Sequence, residues 1–307
     1  MFLKYVLKRL GQTVVVLVLV SILAFSLVHL APGSPARMML PDTATEEQVK
    51  AKEAELGLDK PLMIQYLNYI RGVFTGNLGT SSIYNTSVAK IIFSRLPNTL
   101  YLTFATIIVS LLIAIPIGIV AGIRQGSMVD FLAMFFALIG QSMSTVWLGI
   151  LLILIFTVKL NLLPSLGMQG FTSLILPALT LGYPLASTVT RLGRSGMIDV
   201  LREDYITATL AKGIPPRMVY TKYAFKNALI PIVTTVGVQF GVFLGGAVVV
   251  ETIFAWTGIG QLANMAVGNR DYQLVQSLLL VIAAGVAIIN LLVDIINAKI
   301  DPRITLM

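Results

Sequence analysis

Side chains able to do covalent, redox or metal chemistry are scarce in this chain. Its 307 residues include no cysteine, which removes disulfides, thiolate zinc sites and cysteine nucleophiles. His29 is the only histidine and ends an apolar run. One imidazole makes no metal cluster and no protease-style Ser-His-Asp or Cys-His set is expected, so His29 reads as an interfacial polar residue. No G-x-x-x-x-G-K-[ST] stretch occurs, and any ATP energy must therefore come from another chain. Asp130, Glu251 and Asp294 fall near the ends of apolar segments and read as interfacial groups rather than a proton relay. Gln141, Ser142, Ser144, Thr145, Gln239, Gln276 and Asn290 lie inside apolar segments. They could line a water-filled path, with Gln141, Ser144 and Gln239 as the candidates, or they could make hydrogen bonds between helices. This inventory points to passage and recognition, with no catalytic residue, metal or cofactor expected in the chain.

The elements that must position these residues follow from composition. Hydrophobic residues make up 56% and charged residues 12%, against about 25% charged in a soluble domain. So few charges cannot wet the surface of a globule of this size. A bilayer-spanning helix needs about 20 mostly apolar residues, and six segments qualify: 10–30, 98–122, 131–158, 174–190, 229–250 and 274–297. The fold class is therefore all-α integral membrane. The first segment follows Lys4, Lys8 and Arg9 like a signal peptide, but its apolar stretch exceeds the 7–15 residues of a signal core, so a retained helix is expected. The net charge of +8 is read loop by loop rather than as a sign of nucleic acid. Excess Lys and Arg mark cytoplasmic loops, which puts both termini inside, together with Arg124 and the seven basic residues between Arg191 and Lys226. Lys159 and Arg270 are the basic residues of the short outer loops.

Two polar segments carry structure of their own. In 31–95, Thr45-Glu46-Glu47-Gln48 reads as a capping box, Gly57 as a stop and 62–73 as a second helix. Residues 1–30 thus form a tail and first span, 31–95 a folded extracytoplasmic insertion, and 96–307 a core of five spans. In 191–228, Asp204–Ala211 predicts a short helix with Lys212 at its end, where a cation suits the helix dipole. Gly213 ends it, and Pro215-Pro216 prevent its continuation. A short helix of small residues held between two spans is a rigid knob able to carry force into the membrane. An ordinary interfacial loop is the other reading.

The stretch DYITATLAKGIPPRMVYTKYAFKNALIP, from Asp204 to Pro231, resembles the cytoplasmic signature loop of binding-protein-dependent ABC importer permeases, with Gly213 as its glycine and Ile230-Pro231 as its later pair. Thr207-Ala208-Thr209 stands where the general motif opens with an acid, as is usual in the peptide-transport branch. Where that branch often has arginines, this chain has Thr207 and Leu210. Further stretches resemble the dipeptide, oligopeptide and nickel branch: Ala31-Pro32-Gly33-Ser34-Pro35, Leu56-Gly57-Leu58-Asp59-Lys60-Pro61, Gly76-Asn77-Leu78-Gly79-Thr80-Ser81, and Glu251-Thr252-Ile253-Phe254 through Gly258-Ile259-Gly260-Gln261 to Asn269-Arg270-Asp271-Tyr272. Thr257 replaces a usual proline. The resemblance spans essentially the whole chain, and the larger outer insertion looks like that of the first of two permease subunits.

The resemblance implies several partners: a homologous second permease, two ATPase subunits that hold ATP and Mg, an extracytoplasmic substrate-binding protein and membrane lipid, in a bacterial or archaeal plasma membrane. It implies ATPase coupling through Asp204, Tyr205, Thr207, Ala208, Ala211, Lys212 and Gly213. It also makes Gly258, Ile259, Gly260, Gln261, Arg270 and Asp271 candidates for the outer mouth or a binding-protein contact, with turn-making as the equal alternative. Peptides lead as cargo, with nickel or a metal chelate, glutathione or a sugar as alternatives. A stand-alone secondary carrier or channel, which often shows internal inverted repeats, is the reading from another class.

Overall fold

The computed structural model describes residues 2–30, 35–38, 40, 43–245 and 247–300. Most of the Ala31–Pro35 motif and the basic Arg303 lie outside the described residues. In chain order the helices are α1 (Phe2–Leu30), α2 (Pro35–Met38), α3 (Glu46–Leu56), α4 (Leu62–Thr75), α5 (Val88–Ile123), α6 (Met128–Ser142), α7 (Thr145–Leu152), α8 (Thr172–Leu201), α9 (Asp204–Ala211), α10 (Pro216–Met218), α11 (Phe225–Leu244), α12 (Val248–Ile253), α13 (Ile259–Gly268) and α14 (Tyr272–Ile300). Helix α7 runs on as a π-helix, Ile153–Lys159, and a π-helical turn, Val219–Ala224, joins α10 to α11. Apart from one isolated bridge between Thr80 and Ser87, the described regular structure is helical.

Five helices are long and apolar enough to cross a bilayer, or six if the bent pair α6–α7 is counted as one span. That pair corrects the expectation of a single helix over 131–158. The chain bends by 105° there, because Met143 and Ser144 take extended conformations with ψ of 134° and 132°. Ser142, Ser144 and Thr145 interrupt the apolar run at this point, and such side chains compete with helical backbone hydrogen bonds. The helix expected over 174–190 instead continues to Leu201, since its inner half meets no breaker: Gly193 and Gly196 pack against Ile232 and Ala228. The outer segment 31–95 ends inside α5, whose 36 residues measure about 54 Å at 1.5 Å per residue.

The centre of the fold is α5 against α8, with α11 on both and α6 against α8. The most apolar window of α8 is 61% buried, against 11% for α1 and for α14. The core gathers Leu102, Ile107, Leu176, Leu185, Val189 and Ile232. The two central helices come close because small residues face each other. A Cβ on Gly182 would lie 2.9 Å from Ser110 Oγ, and that hydroxyl donates to the Gly182 carbonyl at 2.9 Å. Close backbone approach through small residues is the usual basis of helix association in lipid. At the periphery α1 packs on α14, tied by Arg9 to Asp294 at 3.2 Å.

The capping box forms as the sequence predicts. Gln48 N donates to Thr45 Oγ1, the Gln48 side chain accepts from Thr45 N, and Gly57 closes α3.

Candidate functional site

The knob is built by the run from α8 to α11. Helix α8 ends at Leu201, and α9 begins two residues later with Asp204 in its first turn. Lys212 caps the C-terminus, and Gly213 takes φ 79°, a left-handed conformation that a side chain disfavours. Pro216 then opens α10, its fixed φ suited to a first helical position.

One side chain seats α9. Ile206 is 2% exposed and packs with Met197 of α8, with Val219 and Ala224 of the π-turn and with Ala228 of α11. Asn227 adds a hydrogen bond from its amide to the Tyr205 hydroxyl at 2.7 Å. The opposite surface of α9 is exposed: Asp204, Tyr205, Thr207, Ala208, Leu210, Ala211, Lys212 and Gly213. All seven predicted coupling residues therefore lie on one protruding helix and its cap, with a small-residue surface between an acidic N-terminus and a basic C-terminus. The residue missed there is Ile206. Its signal was an isolated β-branched apolar residue in a polar loop segment.

Behind the knob, α8 is also pinned to α6. Asp130 is 4% exposed. It accepts from Arg194 Nη2 at 2.8 Å, from Arg194 Nε, and from Gly126 N at 3.0 Å. Asp130 keeps a place at the end of its apolar segment, in the first turn of α6, where it is covered by the partly exposed Arg194 and holds α6 to α8. One turn away Arg191 donates to Gln141 Oε1, so Gln141 is engaged in a helix–helix bond. Ser144 lies exposed at the elbow, and Gln239 is half-buried on α11. No hydrogen bond of the described residues joins these three.

The outer residues divide into two groups. Glu251 is fully buried, which corrects its interfacial reading. It accepts from Thr99 Oγ1 at 2.8 Å and from Gln261 N at 2.8 Å, and Thr99 in turn accepts from Ile259 N at 2.8 Å. Gly258, Ile259 and Gly260 are buried around that carboxylate. A Cβ on Gly258 would come within 2.3 Å of Glu251 Oε1. Asp271 is likewise buried, accepting from Ser81 Oγ at 2.5 Å and Leu274 N at 3.1 Å. These five residues fix the loops of this end of the bundle from inside. Arg270 is exposed and Gln261 half-buried.

The all-helical fold with long central helices agrees with the relatives of the chain. Residues 114–306 match the family "Binding-protein-dependent transport system inner membrane component", and residues 2–103 match its N-terminal companion, "Binding-prot-dependent transport system membrane comp, N-term". The chain belongs to this family and is a multi-pass membrane permease subunit of an ABC importer, not itself an enzyme. It is 41% identical to the glutathione transport system permease protein GsiC of Salmonella typhimurium, over 98% of this chain and 99% of that one. It is 39% identical to the GsiC protein of Escherichia coli K12 over the same shares. In fold it is similar to a chain of the inward-facing MetNI methionine ABC transporter, with a TM-score of 0.56 and 20% identity over 69% of this chain and 96% of that one.

Proposed function

We propose that this chain pairs with a homologous permease above two ATPase subunits and below an extracytoplasmic substrate-binding protein, and that α9 transmits the ATPase cycle to the spans. The observation that carries the reading is the construction of α9: an exposed small-residue face on a helix seated by Ile206 between α8 and α11. Motion imposed on α9 reaches α8, the most buried span, with little slack. ATP binding closes the ATPase pair, the knobs move with it, and the spans switch between inward-open and outward-open packings, a rigid-body change of a two-state assembly. Both termini lie on the ATPase side in this reading.

The cargo we infer is a small peptide. Glutathione is itself a tripeptide, and the GsiC relatives named for its transport support it as the first compound to try. The decisive experiment starts from the complex purified from native membranes. Mass spectrometry should identify a second permease, ATPase subunits and a binding protein. In that complex, Ala208→Trp or Gly213→Val should abolish cargo-stimulated ATP hydrolysis and uptake of labelled glutathione or dipeptides, with the protein still in the membrane. Recovery of this chain alone, with transport intact, would favour a stand-alone carrier. Unchanged coupled hydrolysis in both variants would reject α9 as the transmitter.

A further inference from the structure

At the end of the bundle remote from α9, a cavity of about 400 Å³ opens between α1, α4 and α14, within the size range of small-ligand sites, about 300–1,000 Å³. Phe25 and His29 of α1, Tyr69 of α4, and Arg270, Gln273 and Gln276 at the head of α14 contribute to its lining. Two lining polar atoms, the Tyr69 hydroxyl and the Gln276 amide nitrogen, are buried beside each other without a well-formed hydrogen bond. Gln276 is 5% exposed. A buried amide N–H without a well-formed bond is costly, and here the Gln276–Tyr69 pair borders a space large enough to hold an acceptor for both.

Two ionisable residues of opposite sign, Arg270 and Asp271, meet at the cavity, and only the cation is free of internal bonds to the loop below it. Arg270 is exposed at its edge. The His29 ring has Nδ1 on the Phe25 carbonyl oxygen and Nε2 on Gln65 Oε1, both at 2.9 Å. The Gln65 amide nitrogen already donates to the carbonyls of Leu58 and Lys60, so its oxygen must face the ring. Both ring nitrogens are therefore engaged with oxygen partners, which fixes the ring at the cavity wall. The lining carboxylate, Asp271, is turned away, engaged with Ser81 and the Leu274 amide.

The surroundings are apolar and exposed. Leu23 and Leu27 lie on α1 within two turns of His29, and Leu62, Met63 and Leu67 lie on α4, all more than half exposed. Helix α4 reaches down along α1, where the Ser21 and Tyr66 hydroxyls share a hydrogen bond of 2.8 Å, inside the membrane-crossing stretch Lys4–His29. Helices α1 and α14 are the least covered of the crossing helices. Amide and hydroxyl donors and the Arg270 cation next to exposed aliphatic side chains, at the end of two outlying spans, match an oxyanion attached to acyl chains.

We propose that this cavity holds the phosphate headgroup of a membrane phospholipid, with the Gln276 amide, the Tyr69 hydroxyl and Arg270 as donors and the acyl chains along α1 and α4. The inference is independent of the coupling role of α9 and of which leaflet the cavity meets.

Native mass spectrometry on the complex, delipidated and then released from nanodiscs containing phosphatidylglycerol and phosphatidylethanolamine, tests it. The wild type should retain a phospholipid adduct that Gln276→Leu combined with Arg270→Gln reduces about tenfold or more, given two lost charge-assisted or buried hydrogen bonds. Tyr69→Phe, which keeps the shape of the ring and removes the buried hydroxyl, should reduce it several-fold. Leu112→Ala, on the exposed side of α5, should not. Equal retention in the wild type and in Tyr69→Phe and Gln276→Leu, each still eluting as an intact complex, would overturn the proposal. Displacement of the adduct by inorganic phosphate or by a dipeptide at millimolar concentration would also overturn it, identifying a free anion or the cargo as the occupant.

Discussion

Among single residues, the buried charges carry the most weight. Asp130 and Arg194 are held by two hydrogen bonds at the end of α6, and removal of one partner leaves the other uncompensated. Arg194→Met or Asp130→Leu should each cost about 1–3 kcal/mol, the range of a charge-assisted hydrogen bond, whereas the double replacement should recover much of the loss. Thermal unfolding of the detergent-solubilised chain measures this; additive losses in the double variant would rule out the pairing. The order of the chain hid this bond. Asp130 and Arg194 are 64 residues apart, each near the end of an apolar segment where a charge ordinarily meets headgroups. Helix α8 runs eleven residues beyond the expected end of its span, from 190 to Leu201, and that extension brings Arg194 level with Asp130. Glu251 was hidden in the same way, since its partners Thr99 and Gln261 come from α5 and the start of α13.

The elements differ in how much of each is local. Helix α3 is set by its capping box and α9 by Gly213 and the prolines that follow, all within a few residues of one another, and both form where the sequence places them. The seat of α9 is not local: Ile206 fills a space bounded by three other elements. Ile206→Ala should cost about 2–5 kcal/mol in principle for a buried aliphatic truncation, but its loss should fall on the knob. The expected result is faster proteolysis or hydrogen exchange in 202–228 and a sharp drop in cargo-stimulated ATP hydrolysis, with exchange across the contact between α5 and α8 unchanged. Uniform loosening of α5 and α8 would show that α9 is part of the core. The elbow between α6 and α7 is the element least predictable from composition. Both halves are apolar, and a hydropathy reading joins them into one span.

In the molecule as a whole, the bundle separates two ends with different construction. One end carries the exposed knob and the basic segment 191–226. The other carries the insertion, the buried Glu251 and Asp271 anchors and the cavity between α1, α4 and α14. The chain has no cysteine, so single cysteines report on sidedness without background. Lys212→Cys should react with a membrane-impermeant maleimide only in inverted vesicles, and Arg270→Cys only from outside intact cells. Both positions are exposed. Labelling of the two from the same side would refute the proposed orientation.

The sequence by itself determined the membrane character, the helical class, the short capped helices and the family, because each rests on composition or on residues close together in the chain. Tertiary structure alone decided what the polar residues inside the apolar segments do. In a bundle, a buried charge or amide takes its meaning from a partner on another helix, and helix length, tilt and breaks set which partner it meets. That is why Glu251 proved to be a buried anchor, Asp130 and Gln141 ties between helices, and Gln276 a buried amide beside Tyr69 at a cavity.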